Sequence, residues 1–252
     1  MLGIYFSGTG NTQHCIEKLT YLLDKSAKVL SLESEEILCH IKENEIIILG
    51  YPTQFSNAPF MVRDFIVSHS EIWKDKKILC VATMGAFSGD GAGCMARLLK
   101  KKGAIILGGL HIRMPDSLCD VKSLNKSLDD NKKTVIKADY KIEKTAQKIH
   151  NGKYPQDGIS FFSHIAGLFG QRLWFYNKTT GYSDQLKINE NCIGCGLCTK
   201  ICPMQNIVVQ GKKAISKDRC TMCYRCISQC PQKAITLIGD QVYEQCRFDK
   251  YV

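Results

Sequence analysis

Short apolar runs, each closed by glycine, proline or a polar cluster, recur through the first half of the chain. They are Ile4-Tyr5-Phe6, Lys28–Leu32, Glu45–Gly50, Lys77–Thr83 and Gly103–Gly108. Runs of this length, apolar at nearly every position, predict strands buried on both faces. Helical spacing separates most of them. Ile16, Leu19 and Leu23 share one face after the first run, and further helices are predicted over about 58–70, 89–102 and 126–150. The connection through 33–43 shows no clear pattern. Strands alternating with helices predict a doubly wound α/β domain with a five-stranded parallel sheet.

The pattern changes near residue 150. Asn151-Gly152 and Tyr154-Pro155 are turn formers. Residues 161–176 are rich in aromatics, with apolar positions at helical spacing. They predict a helix packed on one domain or between two; a membrane-surface helix is the alternative. Beyond lies a small cysteine-dense unit. The boundaries follow as 1–152, a linker at 153–185, and 186–252, the last a smaller α+β domain.

That unit holds the most specific chemistry. Cys192, Cys195, Cys198 and Cys202 read C-x2-C-x2-C-x3-C, with Pro203 next. Cys220, Cys223, Cys226 and Cys230 repeat the spacing, with Pro231 next. The offset of 28 continues from Ile207 to Ile235, so this is an internal repeat. It is the bacterial-ferredoxin spacing for two [4Fe–4S] clusters, in which the fourth cysteine of each run ligates the other cluster. The expected sets are Cys192, Cys195, Cys198 and Cys230, and Cys220, Cys223, Cys226 and Cys202. Structural zinc is the competing use of paired C-x2-C. Its pairs usually lie a dozen or more residues apart, unlike four cysteines packed this closely.

The chain has 252 residues, 14 cysteines and a formal charge of +10. Oxidised clusters at about −2 each draw that charge toward neutral. No basic stripe with interleaved aromatics is present, so nucleic acid is not an expected partner. Lys212, Lys213, Lys217, Arg219 and Arg225 make the cluster unit basic and leave room for an acidic docking partner. No signal peptide or apolar stretch of membrane-spanning length is seen, which with the cysteine count predicts a reducing, cytoplasmic setting. Exposed cluster chemistry adds the expectation of an anaerobe. Cys15, Cys39, Cys80, Cys94, Cys119 and Cys246 share no ligand spacing, and Cys80 is expected in the core. His111 and His164 are weak candidates for proton donors.

The first strand runs into Ser7-Gly8-Thr9-Gly10-Asn11-Thr12 and then a helix. A loop at a helix N-terminus binds phosphate through backbone N–H groups and the helix dipole. It lacks both G-x-G-x-x-G and G-x-x-x-x-G-K-[ST], and contains no Lys or Arg. The run resembles the FMN phosphate loop of flavodoxins, [S/T]-G-T-G-N-T, at all six positions. The resemblance implies the flavodoxin-like strand order 2-1-3-4-5, with the ligand beyond the carboxyl ends of the strands. It also implies that loops 50–59 and 83–93 hold the isoalloxazine ring. Pro52, Thr53, Gln54, Phe55, Thr83, Met84, Gly85, Phe87 and Gly89 are the candidates there, and Tyr51 is a further ring neighbour. Taken whole, the chain resembles the flavodoxin–ferredoxin fusion proteins of anaerobic bacteria. The segment His111–Ser117 is similar to the Met-Pro segment that these fusions carry after the fifth strand.

Two functions follow as expectations. One is electron transfer between FMN and two [4Fe–4S] clusters, coupling two-electron to one-electron partners, with a ferredoxin-like protein as donor or acceptor. The other is an oxidoreductase in which the clusters feed a flavin that reduces a small organic acceptor. An iron–sulfur sensor or scaffold leaves the flavin loop unexplained.

Overall fold

The structure is a computed structural model and describes residues 1–160, 163 and 181–252. The predicted aromatic helix at 161–176 therefore lies, save for Ser163, outside the described residues. Among those residues no helix is long and apolar enough to cross a membrane.

Five parallel strands form one sheet: β1 (Leu2–Tyr5), β2 (Lys28–Ser31), β3 (Ile46–Pro52), β4 (Lys77–Met84) and β5 (Ile105–Arg113). Their order is β2-β1-β3-β4-β5, the flavodoxin-like order. Side chains alternate across the sheet, so each apolar run feeds two cores. Ile47, Leu49, Ile78 and Cys80 face one, with Val62 and Ile66 of α3 (Phe60–Ser68) and Leu99 of α4 (Gly91–Lys101). Ile48, Leu79 and Val81 face the other, with Ile16 and Leu19 of α1 (Asn11–Leu23) and Ile142 of α5 (Leu128–His150). Each such fully buried side chain contributes about 1.5–3 kcal/mol. Helix α5 starts where Ser127 Oγ accepts a 3.1 Å bond from Asp130 N. Asp129 and Asp130 add negative charge at the positive end of its dipole.

Two sequence boundaries are corrected. Residues 33–43 contain a helix, α2 (Ile37–Glu43), whose inward face is only Ile37 and Ile41. The fifth strand does not stop at Gly108 but runs to Arg113, paired with β4 as far as Met84. His111–Arg113 thus belong to the strand, and the segment after it begins at Met114. Glycines do not end the strand because residues 154–157 run beside it. Gly109 N donates to Pro155 O at 2.9 Å, and Asp157 N donates to Gly109 O at 2.8 Å.

The C-terminal segment repeats one unit. Helix α6 (Leu197–Ile201) leads to the hairpin β7 (Ile207–Gln210)–β8 (Lys213–Ser216), and α7 (Arg225–Gln229) leads to β9 (Ile235–Thr236). Strand β9 pairs antiparallel with β6 (Lys187–Ile188). Its core holds Ile207, Ala214, Ile227, Ile235 and Leu237, with Cys119 entering from the loop after β5. Asp120, fully enclosed beside it, accepts bonds from Tyr224 Oη (3.0 Å), Leu237 N (2.7 Å), Ile238 N (3.0 Å) and Gly239 N (3.2 Å). Residues 246–251 then return to the sheet. Phe248 N donates to Thr9 O at 2.9 Å, its ring stacks on His14, and Tyr251 enters the α1–α5 core.

Candidate redox site

The loops after β1, β3 and β4 surround a cavity of about 240 Å3. Its wall includes Ser7, Gly8, Thr9, Asn11, Thr12, Pro52, Thr53, Gln54, Phe55, Thr83, Met84, Gly85 and Phe87. Of the sequence candidates, Gly10 and Gly89 are not in the wall. Gly10 caps α1 at φ 94°, backed by Phe248. Gly89 turns the chain ahead of α4 at φ 54°.

At one end of the cavity the loop braces itself with hydroxyls. Ser7 Oγ accepts from Gly10 N at 3.1 Å, and Thr9 and Thr12 pair with Ser117 (3.0 Å) and Thr83 (2.8 Å). Asn11 Nδ2 donates to Pro115 O at 2.8 Å, while its Oδ1 is buried with no partner. No side chain caps the N-terminus of α1, and among the described residues no Lys or Arg lines the wall. The first N–H groups of the helix are therefore available to an anion, as a phosphate loop requires.

The other walls hold what sequence reasoning missed. Met114 to Leu118 close one side. Asp116 is the one carboxyl among the lining residues, and burial pushes its pKa up. A Cβ on Gly85 would lie 2.2 Å from Asp116 Oδ2, so glycine lets the two loops meet. Arg113 Nε donates to Gly85 O at 3.0 Å from outside. Met222, Cys223 and Tyr224 form another wall, so the second cysteine motif borders the cavity directly. A Cβ on Gly8 would sit 1.7 Å from Cys223 O, a backbone approach that only glycine allows. Gln54 Nε2 donates to Thr221 O (2.9 Å) and Met222 O (3.0 Å), committing both its N–H bonds to this seam. Arg225 pairs with Glu33 at 2.6 Å and donates to Ser7 O at 2.8 Å.

Tyr51 does not reach the cavity. It is fully buried and donates to Gly91 O at 2.9 Å, so it is a core residue of β3. His111 is also elsewhere. Its Nε2 accepts from Ala92 N at 3.2 Å, which leaves the proton on Nδ1 facing Ser88 Oγ at 3.1 Å. Burial holds its pKa below the usual value. His164 is outside the described residues. Among the remaining cysteines, Cys119 and Cys246 are buried side by side, and the bond from Cys246 lowers the Cys119 pKa.

The motif cysteines ring two small cavities. Cys192, Cys195, Cys198 and Cys230 line one, joined by Cys226. Cys202, Cys220, Cys223 and Cys226 line the other. Among the described residues no three His, Cys, Asp or Glu converge on one ion position. Backbone N–H groups point at sulfur: Ala214 to Cys192 (3.4 Å), Asn206 to Cys202, Met222 to Cys220 and Ala234 to Cys230 (3.3 Å each). Such bonds stabilise thiolates and tune a metal centre. The repeat keeps its left-handed backbone in both halves but not the residues that adopt it. Gly194 and Gly196 take φ 65° and 74°, whereas Met222 and Tyr224 take φ 54° and 61° at the matching positions. Left-handed backbone costs about 1–2 kcal/mol in a residue with a Cβ. Both side chains line the cavity between the halves.

Residues 185–235 match the family "4Fe-4S dicluster domain". The chain is 42% identical over 64 residues to a component of the Na(+)-translocating ferredoxin:NAD(+) oxidoreductase complex of Acetobacterium woodii, covering 23% of this chain and 19% of that protein. It thus spans about a fifth of that relative, and a similar share, 18%, of a component of the ion-translocating oxidoreductase complex of Methanosarcina acetivorans. Against a ferredoxin of Methanothermococcus thermolithotrophicus it is 38% identical over 52 residues, 19% of this chain and 87% of the ferredoxin. Flavodoxin 2 of Bacillus cereus superposes with a TM-score of 0.43 at 18% identity, over 60% of this chain and 97% of that one. Strand order and cysteine repeat together describe the molecule: a sheet of flavodoxin-like strand order precedes a C-terminal unit through which the chain belongs to the dicluster ferredoxins.

Proposed function

We propose that the protein moves electrons between FMN, bound in the cavity beyond β1, β3 and β4, and two [4Fe–4S] clusters in the C-terminal unit. The observation that carries this is the shared wall, in which Cys223 borders the cavity that the Ser7–Thr12 loop also lines. The flavin supplies two-electron chemistry and the clusters one-electron chemistry.

The chain's own residues divide the work. The N-terminus of α1, with Ser7, Thr9 and Thr12, receives the phosphate without a countercharge. Pro52 to Phe55 and Thr83 to Phe87 hold the ring. Cys192, Cys195, Cys198 and Cys230 ligate one cluster, and Cys202, Cys220, Cys223 and Cys226 the other. Gly8, Gln54 and Arg225 keep the two halves in register, so the separation between redox centres is a property of the fold. Asp116, held toward its neutral form by burial, favours a second reading in which the same site delivers a proton with electrons to a small acceptor.

Anaerobically purified protein should contain one FMN and about eight irons per chain. Dithionite titration followed optically and by EPR should resolve a flavin and two clusters. Zinc in place of iron, or a sample without flavin, overturns the proposal. Oxidation of the reduced protein by a small enone or quinone faster than by any protein acceptor selects the reductase reading.

A further inference from the structure

The two cysteine motifs have the same spacing but opposite surroundings. At the matched positions, Ile193 of the first motif is 60% exposed, while Thr221 of the second is 5% exposed. Cys195 is exposed, whereas its counterpart Cys223 faces the cavity wall and lies against Gly8. The second motif is covered from the N-terminal half at Cys223 by Gly8, at Thr221 and Met222 by Gln54, and at Arg225 by Glu33. No such cover lies over Ile193 and Cys195 among the described residues.

What surrounds the open motif is cationic. Lys212 sits at the hairpin tip, its carbonyl 2.5 Å from the Cβ position of Gly194. Lys213 precedes Ala214, whose N–H meets Cys192 Sγ. Lys233 precedes Ala234, whose N–H meets Cys230 Sγ. All three lysines are exposed; the nearby acids are Glu190 along the chain and Glu244, next to Tyr243, whose carbonyl accepts from Lys233 Nζ at 3.4 Å. An exposed branched apolar residue beside an exposed cysteine, rimmed by cations, has the anatomy of a transient docking patch: a small apolar centre and a charged rim that steers encounter.

We propose that a small acidic electron-transfer protein docks on the surface formed by Ile193, Cys195, Lys212, Lys213 and Lys233, and that the first cysteine set, rather than the second, exchanges electrons with it. This rests on the cofactor assignment above. In the step, one electron leaves one protein and enters the other. No bond forms or breaks, and the partner's own one-electron centre is the co-reactant. The second set then connects the first to the flavin cavity. The repeat thus has one face for a partner and one for the flavin, and where the partner face carries Gly194 and Gly196 the flavin face carries Met222 and Tyr224.

The test uses the holoprotein and a reduced, acidic bacterial dicluster ferredoxin as probe, mixed anaerobically in a stopped-flow instrument at several salt concentrations. The parent rate should fall as salt rises. The double reversal Lys212→Glu/Lys213→Glu should slow the second-order rate at low salt by about tenfold or more and remove most of the salt dependence. A control reversal on α5, Lys133→Glu/Lys137→Glu, changes net charge equally and should leave the rate within about twofold. Ile193→Ser should slow the reaction at every salt concentration. Iron, flavin and optical spectra are recorded on each sample. Missing iron or flavin in the parent defeats the cofactor assignment. A parent with full cofactors whose rate ignores the Lys212/Lys213 reversal, or responds equally to the α5 control, defeats the docking surface alone.

Discussion

Removing the Asp120 carboxylate should loosen the C-terminal unit from the sheet. Two of its four donors, Tyr224 and Leu237, are 3% and 1% exposed, so water does not replace the lost acceptor there. A buried donor left unpaired costs about 1–3 kcal/mol. Two such donors give about 2–6 kcal/mol, and the half-buried Ile238 and Gly239 N–H groups add about 0.5 kcal/mol each at most, because water reaches them. Asp120→Ala is therefore expected to cost about 2–7 kcal/mol. Asp120→Asn keeps an oxygen for the three backbone N–H groups, and the Tyr224 hydroxyl can turn to accept from the new amide. Only the charge is lost, at about 1–2 kcal/mol. The assay is anaerobic urea denaturation of the holoprotein, followed by cluster absorbance and tryptophan fluorescence. An alanine variant within about 1 kcal/mol of the parent refutes the reasoning. So does an asparagine variant as damaged as the alanine one.

Three further outcomes are expected. Neutral His111 is required by the Ala92 N–H bond, and its depressed pKa means that its contribution is full above the unfolded value of about 6.5 and fades as pH falls below it. Stability of the parent should thus drop between about pH 7 and 5 more steeply than that of His111→Gln, and parallel profiles speak against it. Gly8→Ala drives a Cβ into the Cys223 carbonyl and should cost about 1–3 kcal/mol of loop closure. Flavin affinity, measured by fluorescence, should then weaken by about tenfold per 1.4 kcal/mol, and unchanged affinity contradicts the close approach. Tyr251→Ala should lower the stability of the sheet domain by about 3 kcal/mol in thermal or urea unfolding, and a loss below about 1 kcal/mol means that the side chain is not a core residue.

The sheet was legible because each strand is a contiguous apolar run, and the loop and cysteine motifs because their partners lie close in sequence. Helix α2 was not legible. Its buried face is only two residues, and no side chain marks its start. The extension of β5 past Gly108-Gly109 depends on the segment 154–157, far along the chain. Asp120 could not be recognised as a clamp, since its partners lie 104 to 119 residues away. Tyr51 was a readable error. It falls two residues after Leu49 and four after Ile47 on one face of β3, so alternation alone places it in the core. The wall made by Met222, Cys223 and Tyr224 had no local signal, because it exists only once the two halves meet.

The return of residues 246–251 to the sheet ties assembly order to chain order. Tyr251 supplies a side chain to the α1–α5 core, and Phe248 covers the back of Gly10. Both are synthesised after all eight motif cysteines. On the ribosome the nascent N-terminal layer must wait, short of one core aromatic, until the cysteine unit has emerged. A chain whose C-terminal unit does not fold therefore leaves its first domain without Tyr251 in the core and without Phe248 behind Gly10.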